Sequence, residues 1–350
     1  MGALKHTPLF AAETADGAKM APVRNWSLPA YYPGGALAEY RHTRNGCSLF
    51  DLSHLDKFRI AGADAAAVLE RALTVPCAAL ETGECRHGFA LNEQGGVVGE
   101  LFVHRMAEED FFVTASAGSL PFLESGTSEV QDLSASLAVI ALCGPGAEKI
   151  LRALGEETVV LPGENRHTML ALDDFRSIAS RITFSGLPEY RFFCRADVAA
   201  ELREFFLESP GIRPAGATAR EMLRIGAGVP AFPDELDLAH TPPDCGLELD
   251  CSREFTGAAA LRNEKPCRQL QLVKFDGRRF PPPGAKVFAS SGEELGRVTS
   301  GAFSPEANAA LAFCDLDAAF PAPAGAVLTV KSAAETFKGV VTAPPITMEK

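Results

Sequence analysis

The chain has 350 residues, 47% hydrophobic and 22% charged, which is ordinary for a globular protein with room for two or three domains. Lys and Arg number 33 against 45 Asp and Glu, a formal net charge of −12, and no basic cluster is present. That balance argues against nucleic acid and against an anionic membrane surface as partners, and no apolar stretch approaches the ~20 residues of a membrane span.

The nine cysteines are odd in number and none has CxxC spacing. No metal site is therefore expected, and reduced thiols in a cytoplasm fit best. Met1 to His6 lacks the apolar core of a signal peptide.

In chain order, Met1 to Arg44 is Gly/Pro-rich and weakly periodic and reads as an extended lead-in. A short helix is expected at Leu37 to Arg44, with Glu39, Arg41 and Arg44 on exposed faces. Cys47 to Leu55 reads as a strand ending in a polar turn. Lys57-Phe58-Arg59-Ile60 alternates polar and apolar and reads as a half-buried strand. Asp64 can cap a helix running to about Leu73. Next come Arg86 to Leu91 and Val97 to Val103, two apolar runs around the polar turn Asn92 to Gly96. Gly95-Gly96 can take positive φ without a Cβ penalty, so a tight antiparallel return is expected. The second run carries a single carboxylate, Glu100, which is either an outward strand position or an acid held in a low-dielectric pocket.

Further along, Asp110 to Thr114 and Leu137 to Leu142 read as strands, and Gly144-Pro145-Gly146 turns the chain into a helix over Ala147 to Leu154. Arg181 to Gly186 and Tyr190 to Cys194 read as paired strands. Asp197 to Leu207 and Gly216 to Ile225 read as helices. Pro230 to Pro243 reads as a surface excursion. After Asn263 to Cys267 the chain is strand-rich with Gly/Pro turns, which suggests a small antiparallel barrel. Asp51, Ser53 and His54 lie too close along the chain to converge on one atom as a hydrolase triad.

Several blocks recur in a recognisable order. They are Thr7-Pro8-Leu9, Trp26-Ser27-Leu28-Pro29, Ser48-Leu49-Phe50-Asp51-Leu52-Ser53-His54-Leu55, Leu91-Asn92-Glu93 with Gly95-Gly96, Ile140-Ala141-Leu142-Cys143-Gly144-Pro145, Arg220-Glu221-Met222-Leu223-Arg224, and Gly296-Arg297-Val298-Thr299-Ser300-Gly301. Together they resemble the aminomethyltransferase (T-protein) family of the glycine cleavage system and its folate-dependent relatives. The resemblance implies an α+β fold, a three-domain cloverleaf with a C-terminal antiparallel β-barrel around a central folate channel. On that pattern, residues 1–262 form the folate-binding region, two interleaved α+β domains of which the second spans about 47–135. Residues 263–350 form the barrel.

The resemblance also implies chemistry. A methylene passes from an aminomethylated lipoyl carrier, an H-protein-like partner, to tetrahydrofolate, and ammonia leaves. An acid near the pterin nitrogens orients the folate and steadies developing positive charge. Glu100 aligns with the family's key aspartate and is the expected catalytic residue. His87 stands where the family has a tyrosine and Thr114 where it has an asparagine. Arg253 lies near the basic residues that family members offer to the folate glutamate tail. Two further positions depart from the pattern: Gly226 replaces a pterin-contacting glutamate, and Leu187 replaces the glutamate of a tyrosine-threonine-glycine-glutamate loop. These departures keep two alternatives in view, a folate-dependent demethylase or one-carbon transferase with another donor, and a non-catalytic folate-binding protein. Asp250 to Gly257 lacks the lysine-glycine-cysteine order of the latter.

Overall fold

The computed structural model describes residues 3–116, 118, 128–155, 159–263, 265–320 and 322–343. They divide into two compact units, one of Met1–Glu70, Val75–Gly88 and Leu101–Arg220, the other of Arg71–Thr74, Phe89–Glu100 and Glu221–Lys350. The chain passes to the second unit and back through the Gly95 hairpin, and passes to it finally within the helix Ala217–Ala227.

In the first unit a six-stranded sheet runs in the order Arg166–Leu172, Phe175–Phe184, Leu187–Arg195, Leu137–Cys143, Cys47–Asp51, Ile212–Pro214. Leu137–Cys143 is apolar at every position and lies inside the sheet, as a strand covered on both faces must. One face of the sheet presents Leu49, Ile140, Leu142, Leu170, Tyr190 and Phe192, and packs under Leu151 of the helix Ala147–Leu154 and Leu202 and Phe206 of the helix Ala199–Leu207. Each such side chain contributes about 1.5–3 kcal/mol by leaving water. A five-stranded sheet has the order Cys85–Leu91, Val97–Ala107, Asp110–Ala115, Asp56–Ala61, Glu129–Asp132.

Three expectations for this unit are corrected. The lead-in is not simply extended: it holds the helix Phe10–Ala15 and a three-stranded sheet of Lys5–His6, Trp26–Tyr31 and Lys19–Val23. The helix Ala36–Asn45 forms, but Glu39 is buried, because its carboxylate accepts the otherwise unpaired amides of Tyr32 and Gly216. Lys57 is fully buried rather than on a solvated strand face, since its Nζ donates to the carbonyls of Ser53 at 2.9 Å and Leu137 at 2.8 Å.

In the second unit, the expected barrel is closed and wholly antiparallel, in the order Arg268–Phe275, Ala309–Asp317, Glu294–Ser304, Lys286–Phe288, Val327–Lys331, Thr336–Thr342. Small residues alternate with large ones inside it, among them Val273, Phe275, Val298, Ala312, Cys314 and Leu316. Pro230 to Pro243 is not a plain surface excursion: Glu235, Leu236 and His240 are buried and anchor it. No helix among the described residues is long and apolar enough to cross a membrane. All nine cysteines are free thiols, and among the described residues no group of three or more His, Cys, Asp or Glu could hold a metal ion.

Candidate functional site

In the second unit, the hairpin tip is fixed first by its own turn. Gly95 sits at φ +84°, and Asn92 Oδ1 accepts the amides of Gln94 at 3.0 Å and Gly96 at 2.8 Å. The amide of Val97 then donates to the carbonyls of Asp237 at 2.8 Å and His240 at 3.1 Å, which ties the hairpin to the loop after the helix Ala217–Ala227. Glu100 is half-buried on the returning strand, and its Oε2 accepts the amide of Phe232 from that loop at 3.2 Å.

What holds the loop is Glu235. Its fully buried carboxylate accepts from Arg224 Nη1 at 2.8 Å, the Ala231 amide at 3.1 Å, Thr299 Oγ1 at 2.7 Å and Ser300 Oγ at 2.6 Å. Arg224 also reaches Glu221 at 2.7 Å and the carbonyl of Val229 at 2.9 Å. The same loop is pinned at its far end by His240, whose Nδ1 meets Asp237 at 2.6 Å and whose Nε2 meets Asp315 of the barrel at 3.2 Å. The hydrogen bond to Asp315 leads the effects that lift the imidazole to about 9; burial opposes them.

Arg253 is half-buried, donates to the carbonyl of Leu73 at 2.7 Å and lies 4.7 Å from the Phe255 ring. Gly226 is buried, yet a Cβ there would meet only Ser304 Oγ, at 3.9 Å.

In the first unit, the face of the six-stranded sheet opposite the helices carries polar residues among apolar ones such as Val139 and Phe193. Strand register puts His167, Ser180, Arg191, Ala141 and Phe50 in one row across five strands. Glu189, two residues before Arg191, shares that face. It is completely buried and takes Arg191 Nε at 2.8 Å and both terminal nitrogens of Arg220, at 2.6 and 3.1 Å. Burial alone would raise its pKa; the two guanidinium groups outweigh burial and hold it at about 2. Arg220 lies 3.6 Å from the centroid of the Phe184 ring, and Arg191 lies 4.8 Å from that of Phe102. His54 is pushed down to about 3, by burial and then by the positive charges of Arg24, Arg220, Lys57 and Arg191.

Phe102 gathers two of the residues singled out from the sequence. His87, exposed on the neighbouring strand, has its ring 5.1 Å from Phe102, and the buried Thr114 is the register partner of Phe102. Glu189, Arg191 and Arg220 were not singled out as site residues. In Leu187–Arg195 the charges at 189 and 191 alternate with apolar residues, the pattern of a solvated face. Their burial follows from the pairing of Glu189 with Arg191 of its own strand and with Arg220 of the helix Ala217–Ala227.

The chain matches two family models, "GCVT N-terminal domain" over residues 9–254 and "Glycine cleavage T-protein C-terminal barrel domain" over residues 267–347. It is 32% identical over 344 residues to an aminomethyltransferase of Saccharopolyspora erythraea, covering 93% of this chain and 94% of the relative. An aminomethyltransferase of Symbiobacterium thermophilum is 30% identical, with 89% of each chain covered. The crystal structure of glycine cleavage system aminomethyltransferase T from Bartonella henselae superposes with a TM-score of 0.88 at 26% identity, covering 99% of both chains.

Proposed function

The chain belongs to the glycine cleavage T-protein family, and on that premise we propose that it is a tetrahydrofolate-dependent aminomethyltransferase. The observation that carries this reading is the match of both family domains, in order, to relatives named for that activity. In this reading the donor is an aminomethyl group on the lipoyl arm of a carrier protein; its carbon goes to folate and its nitrogen leaves as ammonia. Tetrahydrofolate, when bound, supplies the ring and side-chain amines that accept the carbon.

Two features of the chain fit that partner. Gly226 leaves open space beside Ser304 where a larger side chain would stand, and Glu100 offers a carboxylate with one oxygen oriented by a backbone amide. Glu100 is the proposed acid. Its negative charge steadies positive charge that grows at the attacking folate nitrogen, and its carboxyl group can relay a proton to the departing ammonia. His87, Thr114 and Arg253 are proposed folate contacts. Arg253 enters with its guanidinium already bonded to Leu73, so its role is to present fixed charge.

The test is ammonia release from an aminomethylated lipoyl carrier in the presence of tetrahydrofolate. Glu100→Gln should keep the wild-type unfolding midpoint and lower kcat by about a hundredfold or more. Turnover at the wild-type rate would remove Glu100 from the chemistry.

A further inference from the structure

The lead-in helix Phe10–Ala15 carries Glu13, which is only 1% exposed, where a glutamate on so short a helix would ordinarily meet water. The groups that face it come from several elements of the first unit. Tyr32, just past the strand Trp26–Tyr31, donates its hydroxyl to Glu13 Oε1 at 3.3 Å. Asp16 ends Glu13's own helix, Asp51 ends the strand Cys47–Asp51, and Arg203 comes from the helix Ala199–Leu207. Glu13, Asp16 and Tyr32 belong to the lead-in; Asp51 and Arg203 belong to the six-stranded sheet and the helix that covers it. The cluster therefore lies on the seam between the two.

The cations at this seam are already engaged. Arg203 Nη2 bonds Asp16 Oδ2 at 2.6 Å. Lys57, which faces Asp51 from the strand Asp56–Ala61, gives its Nζ to the carbonyls of Ser53 and Leu137. Glu13 makes no ion pair among the described residues, and its Oε2 is sealed from solvent with no hydrogen-bond partner. Asp51 Oδ2 and Thr7 Oγ1, beside one another, are sealed in the same way. A carboxylate shut away from water with no cation of its own is strongly unfavourable, and such a group keeps its proton instead. Burial, then the charge of Asp51, raises Glu13 to about 8, with Asp16 adding to the rise; Arg203 and the Tyr32 hydroxyl oppose it.

We propose that Glu13 is a proton-operated latch between the lead-in and the six-stranded sheet: protonated, it lies sealed in the seam, and loss of its proton releases the lead-in. With the lead-in released, Glu13 meets water and returns to its ordinary 4.5. The closed form then holds one proton more than the open form between about pH 4.5 and 8, so closure weakens as the pH rises through this window and levels off above it. Tyr32 does not titrate here, because burial and the neighbouring Glu13 push its phenol up. Lys57, brought down to about 8 by burial, titrates at the top of the window. The measurement is for that reason a difference between wild type and a protein altered only at Glu13.

The experiment follows amide hydrogen exchange of peptides within residues 5–31 from about pH 5 to 9, in wild type and in Glu13→Gln. Glutamine keeps the shape and the acceptor for Tyr32 but cannot ionise. After correction for intrinsic exchange, the ratio of the wild-type to the Glu13→Gln opening constant isolates the titration of this one side chain. It should rise roughly tenfold or more between pH 5 and 8 and then level off, while the same ratio for barrel peptides stays constant. A ratio for the lead-in that is flat across the whole range would overturn the latch. So would a rise shared equally by lead-in and barrel, which would place the proton in global unfolding. Should Glu13→Gln fail to fold, Glu13→Met, which fills the seam with an uncharged chain of similar length, takes its place in the same comparison.

Discussion

His240 shows how far one side chain can set the behaviour of a loop. Two carboxylates, on Asp237 and Asp315, hold its imidazolium near a folded pKa of about 9 against an ordinary 6.5. The sign of the stability effect follows. A raised pKa means that folding takes up a proton, so the stabilisation is whole below about pH 6.5 and is lost as the pH rises through about 9. Denaturant unfolding from pH 6 to 10 should therefore show wild-type stability falling across this window. His240→Gln should lack that component of the slope. Parallel curves for the two proteins would show that the pair of ion contacts contributes nothing.

At the scale of elements, the hairpin that carries Glu100 is fixed from outside. A Cβ on Gly96 would come 2.1 Å from the carbonyl oxygen of Leu238 and 2.7 Å from its carbon. Both are backbone atoms, so the loop or the hairpin would have to move. Gly96→Ala should cost about 2 kcal/mol or more in stability by chemical denaturation, and should slow turnover further, because the Phe232 amide moves with the loop. Stability and rate equal to wild type would mean that the two segments are loosely joined.

The hairpin was readable from its local code. Asn92 to Gly96 between two apolar runs leaves little choice of turn. The support for it was not readable, since Val97 lies far in sequence from Asp237 and His240 and meets them only through backbone groups. Glu39 and Lys57 were misjudged, and Glu189 and Arg191 passed over, for one shared reason. A charged residue at a polar position of an amphipathic pattern signals solvent unless a partner neutralises it, and the partners of these residues are backbone carbonyls, amides, or charges on the same strand and on the helix Ala217–Ala227. In the barrel no such conflict arises. Short strands, Gly/Pro turns and apolar alternation all favour the same structure there, and a closed antiparallel barrel forms in that part of the chain.

For the whole molecule, the ordered blocks carried more information than any single motif. They pointed to the family that both domain models and the Bartonella structure independently match. The resemblance also implies departures from the family pattern at Glu100, His87, Thr114, Gly226 and Leu187, so membership and ligand are separate questions. The most direct test of the central claim is a calorimetric titration of tetrahydrofolate into the intact protein. The account predicts saturable, one-to-one binding with a Kd in the micromolar range. The absence of any binding heat at high micromolar tetrahydrofolate, with the protein shown to be folded, would contradict it.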